Sequence, residues 1–284
     1  MTEIARAFLL VVVGLAGDPD HAAVFQKWGT SLAAAAAELG VPRDRIQQLN
    51  DESTKADVEK AIDGIAARAA ADDVVVVVLI GHGSYDGRTA KFNLKGPDMT
   101  PADFNVLLRR LKSKHVVLAN TTSASGPFKD ELTGPGRTII TATRSGAEQY
   151  DTLFAGFFVG AFSSDAADVD KNHRVTVQEA FDYAQREVAR TYEREGLLAT
   201  EHAAIDDTGK LASAFAFGTA GGGELSADPR LRALQMERRD LEQRVEALKV
   251  LKSSMDPARY DAELERLVTA LALKTREIRQ ADGK

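Results

Sequence analysis

Two apolar segments of the sequence end in side chains of the kind that hydrolytic enzymes use. Residues 74–80 (VVVVVLI) precede residues 81–83 (GHG), and residues 116–119 (VVLA) precede Asn120 and a group of hydroxyls. In open parallel sheets, ligands bind beyond the carboxyl ends of the strands. A histidine beside a hydroxyl is the minimum arrangement for activating a nucleophile, and the backbone amide of Gly83 could contact a substrate carbonyl. The hydroxyl side chains are those of Thr121, Thr122, Ser123 and Ser125.

The composition narrows the chemistry that these residues can perform. The chain of 284 residues contains no cysteine, which excludes disulfides, thiolate metal sites and a cysteine nucleophile. The net charge is −6, so the composition gives no indication of a nucleic-acid partner. No apolar run reaches the ~18–20 residues of a membrane span, and residues 7–16 are interpreted as a first strand rather than a signal peptide. We therefore expect a soluble protein, either cytoplasmic or exported.

The first 220 residues alternate strand-like and helix-like segments, which predicts an α/β fold with a mainly parallel sheet flanked by helices. Continuous apolar runs are typical of buried parallel strands, whereas amphipathic helices repeat apolar residues every three or four positions. The predicted strands are residues 8–14, 45–49, 74–80, 116–119, 138–143 and 211–217. The predicted helices are residues 21–39, 53–71, 100–112, 154–162 and 177–195. Residues 201–207 (EHAAIDD) are predicted to form a surface loop before the last strand, and the alternative is a loop on the substrate side.

The last part of the chain has a different pattern. A predicted flexible linker, residues 221–227, contains consecutive glycines, and Asp-Pro pairs at 228–229 and 256–257 introduce two helix-like segments. Their apolar residues repeat at three-four spacing, which is typical of a coiled-coil seam. A short connection at residues 253–255 favours an antiparallel helical hairpin over residues 228–284. This hairpin either packs on its own domain or mediates a homodimer or docking to a partner protein.

The two strand-end motifs together resemble those of the caspase–haemoglobinase superfamily, most closely its legumain-type and GPI-transamidase-type peptidases. In that family a strand ending in His-Gly is followed further along the chain by a strand ending in Cys-x-Ser-Gly. IGHG at residues 80–83 matches the first motif, and SASG at residues 123–126 matches the second with serine in place of cysteine. TIITATRSGAE at residues 138–148 resembles the following strand and specificity loop. The resemblance covers residues 7–218 and implies a caspase-like fold.

The resemblance implies that His82 and Ser123 form the catalytic pair, with the backbone of Gly83 in the oxyanion site. Replacing cysteine by serine weakens such a pair, because a serine hydroxyl is much less acidic than a thiol and needs a well-oriented base. Asp18 or Asp20, after the first strand, could orient the histidine. The leading prediction is therefore a pseudopeptidase that binds peptide or protein segments. The alternatives are an active serine-dependent peptidase and a structural protein that assembles through its C-terminal hairpin.

The same resemblance implies that His21, Thr141 and Thr143 line the specificity pocket, with Arg144 at its rim. A pocket of threonines and one histidine would suit an amide-bearing or small polar side chain of the ligand. The alternative is that the threonines only fill the edge of the sheet.

A separate motif, DVDKNHRVTVQE at residues 168–179, has the spacing of a calcium-binding loop. Oxygen ligands suit a hard cation, so a structural Ca²⁺ ion is the predicted cofactor. His173 occupies the position at which glycine normally makes the sharp turn. The alternative is an acidic turn that caps the following helix. The predicted side-chain or backbone ligands are Asp168, Asp170, Asn172, Arg174, Thr176 and Glu179.

Overall fold

The computed structural model describes residues 7–164, 166–172, 174–217 and 256–281, together with single positions between 228 and 248. The chain divides into two compact units, Met1–Gly218 and Thr219–Lys284. The predicted linker at 221–227, the predicted connection at 253–255 and His173 lie outside the described residues.

The first unit is built around one six-stranded sheet, as the alternating pattern predicted. Its strands and those of a smaller ribbon are β1 Ala7–Val13, β2 Ile46–Leu49, β3 Val74–Ile80, β4 Gly83–Tyr85, β5 Ala90–Phe92, β6 His115–Asn120, β7 Arg137–Thr141 and β8 Ala204–Asp206. The order in the large sheet is β2-β1-β3-β6-β7-β8. Neighbouring strands are parallel except β8, which runs antiparallel to β7. The ribbon pairs β4 with β5 in antiparallel orientation.

Helices cover both faces of this sheet. They are α1 Pro19–Glu38, α2 Lys55–Arg68, α3 Pro101–Leu108, α4 Gly126–Leu132, α5 Phe154–Ala161 and α6 Val177–Glu195. Because successive side chains of a strand point to opposite faces, β1 contributes to two cores. Leu9 and Val11 pack in the core that contains residues of α1, α5 and α6, whereas Phe8 and Leu10 pack with residues of α2, α3 and α4. Burial on both faces explains why β1 and β3 are apolar throughout.

Several helices begin at residues whose side chains cap them. Thr54, Thr100 and Thr176 each form a capping box with an acidic residue three positions later. Asp18 caps α1 by accepting hydrogen bonds from the amides of Asp20 and His21. These caps determine where the chain turns from the sheet edge into a helix.

The predicted strand at residues 211–217 is wrong. These residues form turns, with one isolated bridge between Thr176 and Ala216. Asp207 Oδ1 accepts hydrogen bonds from the amides of Leu211 and Ala212, so this part of the backbone bonds to a side chain rather than to a neighbouring strand. The alternating apolar pattern reflects burial of individual side chains in the core, not a sheet.

The edge strand lies instead within residues 201–207, which the sequence analysis assigned to a surface loop. β8 is short and pairs with β7 through Ile139, Ile140 and Thr141. Three residues carry too little alternation to be recognised as a strand, and the pairing depends on a tertiary contact.

In the second unit, helix α7 spans Pro257–Ala281, and the described positions from 230 to 248 are also helical. Glu237 and Lys274 form an ion pair of 2.7 Å. Residues later in the first segment cluster with residues earlier in α7, so the two segments are antiparallel. The apolar cluster consists of Val245, Leu248, Tyr260 and Leu267. No helix among the described residues is long and apolar enough to cross a membrane.

Candidate functional site

The C-terminal ends of β3 and β6 lie side by side, and this brings His82 and Ser123 to the same edge of the sheet. Leu79 pairs with Asn120. His82 lies three positions after Leu79, and Ser123 lies three positions after Asn120. Both residues line a cleft of about 260 Å³. The apolar part of its lining includes Val24, Phe25, Trp28 and Leu153, and the polar part includes Asp20, His21, His82, Ser123 and Asp151.

The Ser123 hydroxyl is hydrogen-bonded to the backbone of Gly83. Ser123 Oγ donates to the Gly83 carbonyl oxygen at 3.0 Å and accepts from the Gly83 amide at 3.2 Å. Only 4% of the residue is exposed. A Cβ atom at position 83 would lie 2.1 Å from the Ser123 carbonyl oxygen, so glycine is required for this close approach.

His82 is held by contacts that do not involve Ser123. Its Nε2 atom lies 3.0 Å from the carbonyl oxygen of Ala16, and its Nδ1 atom lies 3.2 Å from Asp151 Oδ1. The ring packs edge-on against Phe25. Among the hydrogen bonds of the described residues, none joins Ser123 to His82. The two residues share the cleft without forming a linked catalytic pair.

Asp151 lies between His82 and a second histidine, His21. His21 Nε2 is 3.2 Å from Asp151 Oδ2, and His21 Nδ1 is 2.6 Å from Asp18 Oδ2. The hydrogen bond to Asp18 raises the pKa of His21 against the opposing effect of burial, and the charges of Asp18 and Asp151 raise it further. Hydrogen bonds from the amide and ring of His21 lower the pKa of Asp18. A chain of alternating carboxylates and imidazoles therefore runs from Asp18 through His21 and Asp151 to His82, and its last three members line the cleft.

The carboxylate in contact with His82 is one that the sequence analysis did not single out. Of the two expected candidates, Asp18 contacts His21 instead, and Asp20 lies in the lining of the cleft. Asp151 belongs to the irregular segment between β7 and α5, where no periodic pattern marks it. Its position beside the histidines follows from tertiary packing alone.

Three other residues expected in the pocket lie outside the lining of the cleft. Thr141 and Thr143 are fully buried, and Thr141 Oγ1 donates to the Thr143 carbonyl oxygen at 2.9 Å. Thr143 Oγ1 accepts from the Gly126 amide at 3.1 Å, whereas Arg144 is exposed. A Cβ atom at Gly126 would come 2.4 Å from the Arg144 carbonyl carbon, so this glycine lets α4 pack against the end of β7. These contacts brace the SASG segment.

The remaining hydroxyls after β6 bond within the protein. Thr121 Oγ1 donates to the Leu79 carbonyl oxygen at 2.7 Å, and Thr122 Oγ1 donates to Asn120 Oδ1 at 2.7 Å. Ala124, directly after Ser123, has a left-handed backbone with φ of 52°, which is uncommon for a residue other than glycine. The hydroxyl cluster thus shapes a tight turn that places Ser123 at the cleft.

A buried glutamate holds the segment that carries Asp151. Glu201 Oε1 accepts from the Leu153 amide at 2.7 Å, and Glu201 Oε2 accepts from the Phe154 amide at 3.1 Å. These amides lie at the start of α5, where the helix dipole favours a negative charge. Burial raises the pKa of Glu201, and the two hydrogen bonds oppose that rise. The segment 201–207 therefore positions the cleft, a role that sequence reasoning missed.

The acidic loop before α6 brings several of its predicted calcium ligands together. One carboxylate oxygen from each of Asp168, Asp170 and Glu179 lies within 4.8 Å of the others. The Asn172 amide donates to Asp168 Oδ1, and Asn172 Oδ1 is buried without a hydrogen-bond partner among the described residues. Glu179 also completes the capping box with Thr176. Arg174 is half-buried. The loop combines a carboxylate cluster with a helix cap.

Comparisons with known proteins do not assign this site. No family model matches the chain. No curated protein matches it either. Among solved structures, the chain is similar to the crystal structure of protein GSU0716 from Geobacter sulfurreducens, a structural genomics target. The two are 13% identical with a TM-score of 0.49, and the match covers 79% of this chain and 96% of the other.

Proposed function

We propose that this protein is a pseudopeptidase related to the legumain-type peptidases, and that it binds peptide or protein segments at the cleft beside His82 and Ser123. The observation that carries the proposal is the bonding of the serine hydroxyl. Ser123 Oγ bonds to both backbone groups of Gly83, while the His82 nitrogens face Ala16 and Asp151. A serine nucleophile has to pass its proton to a neighbouring base. The arrangement therefore favours binding over cleavage.

The chemistry of the cleft supports a peptide as its ligand. Phe25 and Trp28 form an apolar wall, with ring centroids 5.8 Å apart, and the Phe25 ring contacts the rings of His21 and His82. Ligand sites commonly combine an apolar wall with a few converging polar groups. A volume of about 260 Å³ is enough for one side chain of an extended peptide. Imidazole and carboxylate groups together offer donors and acceptors, which suits an amide-bearing side chain.

An active serine-dependent peptidase is the second candidate, and one contact favours it. Asp151 lies 3.2 Å from His82 Nδ1, where the acidic member of a catalytic triad would stand. For catalysis, His82 Nε2 would have to leave the Ala16 carbonyl and Ser123 would have to rotate away from Gly83. Catalytic hydrogen bonds often tighten only in the substrate complex, so cleavage has to be measured as well as binding.

The test measures binding and cleavage on the same peptides. A diverse peptide mixture is passed over immobilised full-length protein to identify binders, and the mixture is then incubated with the protein and analysed by mass spectrometry. The variants are Ser123→Ala and a matched control, Ser163→Ala, which changes an exposed serine near the end of α5. All assays contain a chelator, so that no metal ion contributes.

We expect wild type to bind a subset of peptides and to cleave none. Ser123→Ala should keep the binding affinity within about threefold, because the hydroxyl bonds internally rather than to the ligand. Cleavage by wild type and Ser163→Ala but not by Ser123→Ala would overturn the pseudopeptidase proposal in favour of the serine peptidase. Absence of any peptide binding would contradict both.

A further inference from the structure

Two histidines and one aspartate converge in the cleft, and we propose that they bind a divalent transition-metal ion of the Zn²⁺ type. The ligand atoms are His21 Nε2, His82 Nδ1 and a carboxylate oxygen of Asp151. One such atom from each residue lies within 4.8 Å of the other two. The metal site goes beyond peptide binding and does not depend on it.

The hydrogen bond between His82 and Ala16 determines which ring nitrogen is free for a metal. A carbonyl oxygen accepts and never donates, so Nε2, at 3.0 Å from that oxygen, carries the proton. In the neutral ring the lone pair then lies on Nδ1, which is 3.2 Å from Asp151 Oδ1. Two acceptors at this distance repel each other unless a cation or a second ring proton lies between them.

His21 has the same arrangement with its two nitrogens exchanged. Its Nδ1 atom lies 2.6 Å from Asp18 Oδ2 and donates to that carboxylate. Its Nε2 atom lies 3.2 Å from Asp151 Oδ2 and carries the lone pair in the neutral ring. Metal-binding histidines almost always donate their other ring N–H to a carboxylate or a backbone carbonyl. Here His21 donates to the carboxylate of Asp18, and His82 donates to the backbone carbonyl of Ala16.

The spacing of the ligand atoms fits a metal with short bonds. Zinc lies about 2.0–2.2 Å from nitrogen and oxygen ligands, which places neighbouring ligand atoms of a tetrahedral site about 3.3–3.5 Å apart. His21 Nε2 lies 3.2 Å from Asp151 Oδ2, and His82 Nδ1 lies 3.2 Å from Asp151 Oδ1, the other oxygen of the same carboxylate. The Asp151 side chain is 65% exposed and can adjust its position at little cost. Three protein ligands leave a fourth position for water or a ligand oxygen.

The donor set determines the class of metal. Imidazole nitrogens suit zinc, copper, iron and nickel, whereas calcium and magnesium prefer oxygen ligands. Two neutral imidazoles with the carboxylates of Asp151 and Asp18 also balance a charge of +2. The acidic loop at residues 168–179 presents an all-oxygen cluster, so the two sites should select different ions.

Titration calorimetry with Zn²⁺ on the full chain, without peptide, tests the proposal. We expect saturable Zn²⁺ binding, and equimolar Ca²⁺ should not displace it. His21→Ala and Asp151→Ala should each weaken the affinity at least about 100-fold, because loss of an outer partner alone costs about 10–100-fold. Asp18→Asn should give that smaller loss, since Asn still caps α1 while the acceptor for His21 Nδ1 is removed.

Two control variants separate this site from other histidines and acids. His202→Ala changes a histidine that is paired with Glu148 at 3.2 Å, and Asp170→Asn changes the acidic loop. Both should keep the wild-type affinity for Zn²⁺. The proposal is overturned if wild type binds Zn²⁺ no more tightly than His21→Ala and Asp151→Ala, or if the control variants lose as much affinity. Such a result would not bear on the peptide-binding proposal, because peptide binding is measured with a chelator present.

Discussion

At the scale of single residues, the cleft depends on a backbone contact as much as on its polar side chains. Gly83 and Ser123 exchange two hydrogen bonds across the ends of β3 and β6. A Cβ atom at position 83 would meet the Ser123 carbonyl oxygen at 2.1 Å and Thr122 Oγ1 at 2.7 Å. Ser123 is therefore positioned by the absence of a side chain on its neighbour.

Gly83→Ala should destabilise the protein by about 1–3 kcal/mol, because the new methyl group forces the two strand ends apart. Urea unfolding measures this loss. The matched control is Gly64→Ala in α2, where a Cβ atom meets nothing within 4 Å. That variant should gain about 0.5–1 kcal/mol, since glycine weakens a helix interior. Equal stability of Gly83→Ala and wild type would contradict the close contact.

At the scale of elements, helix ends position the loops that form the cleft. The start of α5 is held by Glu201, which anchors the segment that includes Asp151. The start of α6 is held by the capping box of Thr176 and Glu179, at the end of the acidic loop. Glu201 and Glu179 each place a carboxylate at the positive end of a helix dipole. The stability of both helix starts should therefore change when the charge of the carboxylate changes.

The contribution of Glu201 to stability should fall as pH rises. Burial raises its pKa in the folded state above the value of about 4.3 in an unfolded chain. A raised pKa gives stability that is fully present below the unfolded pKa and is lost as pH rises through the folded pKa. Wild type should therefore lose stability relative to Glu201→Gln as pH rises from about 3.5 to 7.

Denaturant unfolding at a series of pH values measures this difference. Glu193→Gln, at an exposed position of α6, is the control and should show no comparable trend. A wild-type advantage that grows with pH would mean that the hydrogen bonds from Leu153 and Phe154 outweigh the effect of burial.

The acidic loop before α6 should bind Ca²⁺, as the sequence predicts. Asp168, Asp170 and Glu179 already converge, and the buried Asn172 Oδ1 is a suitable further ligand. Saturating Ca²⁺ should raise the melting temperature of wild type, because a ligand that binds only the folded state stabilises it. Asp170→Asn should remove the shift, while Asp261→Asn, an exposed position of α7, should keep it. An identical melting temperature with Ca²⁺ and with chelator would leave the loop as a helix cap.

At the scale of the whole molecule, the chain consists of two units with separate apolar clusters. The first contains the sheet and the cleft, and the second contains α7 and the described helical positions between 230 and 248. On α7, Tyr260 and Leu267 are buried, whereas Val268 and Leu273 are 48% and 56% exposed. Self-association through this unit is one of the roles that the sequence pattern of residues 228–284 predicts, and Leu273 is an exposed apolar position at which it can be tested.

If the second unit mediates self-association, Leu273→Glu should weaken it, because a charge is costly in an apolar interface. Light scattering of the full-length protein over a concentration series measures the change in mass. Arg276→Glu, at an exposed position one turn further along α7, is the control for the added charge. A mass equal to one chain for wild type at all concentrations would contradict self-association through this unit.

The sequence alone was sufficient for the main elements of the first unit and for the edge of the sheet that forms the cleft. Long apolar runs such as Val74–Ile80 predict buried strands because parallel strands are covered on both faces. Thr100 marks the start of the helix predicted at residues 100–112, because a cap needs particular side chains at particular positions. His82 was a candidate because it lies two positions after such a strand, and Ser123 was chosen among the hydroxyls after β6 because SASG resembles the Cys-x-Ser-Gly motif. Each of these features depends on residues that are close together in the sequence, so the sequence pattern predicts it.

Only the tertiary structure decided how the cleft is completed. Asp151 contacts His21 across 130 positions of sequence, and Glu201 reaches the start of α5 from a segment that was expected to be a loop. The apolar alternation at residues 211–217 predicted a strand, but the sheet edge is completed by β8 instead. Contacts between distant residues depend on packing of the whole domain and leave no periodic signal. For this reason the sequence predicted the histidine and the serine, and the structure supplied the carboxylate beside them.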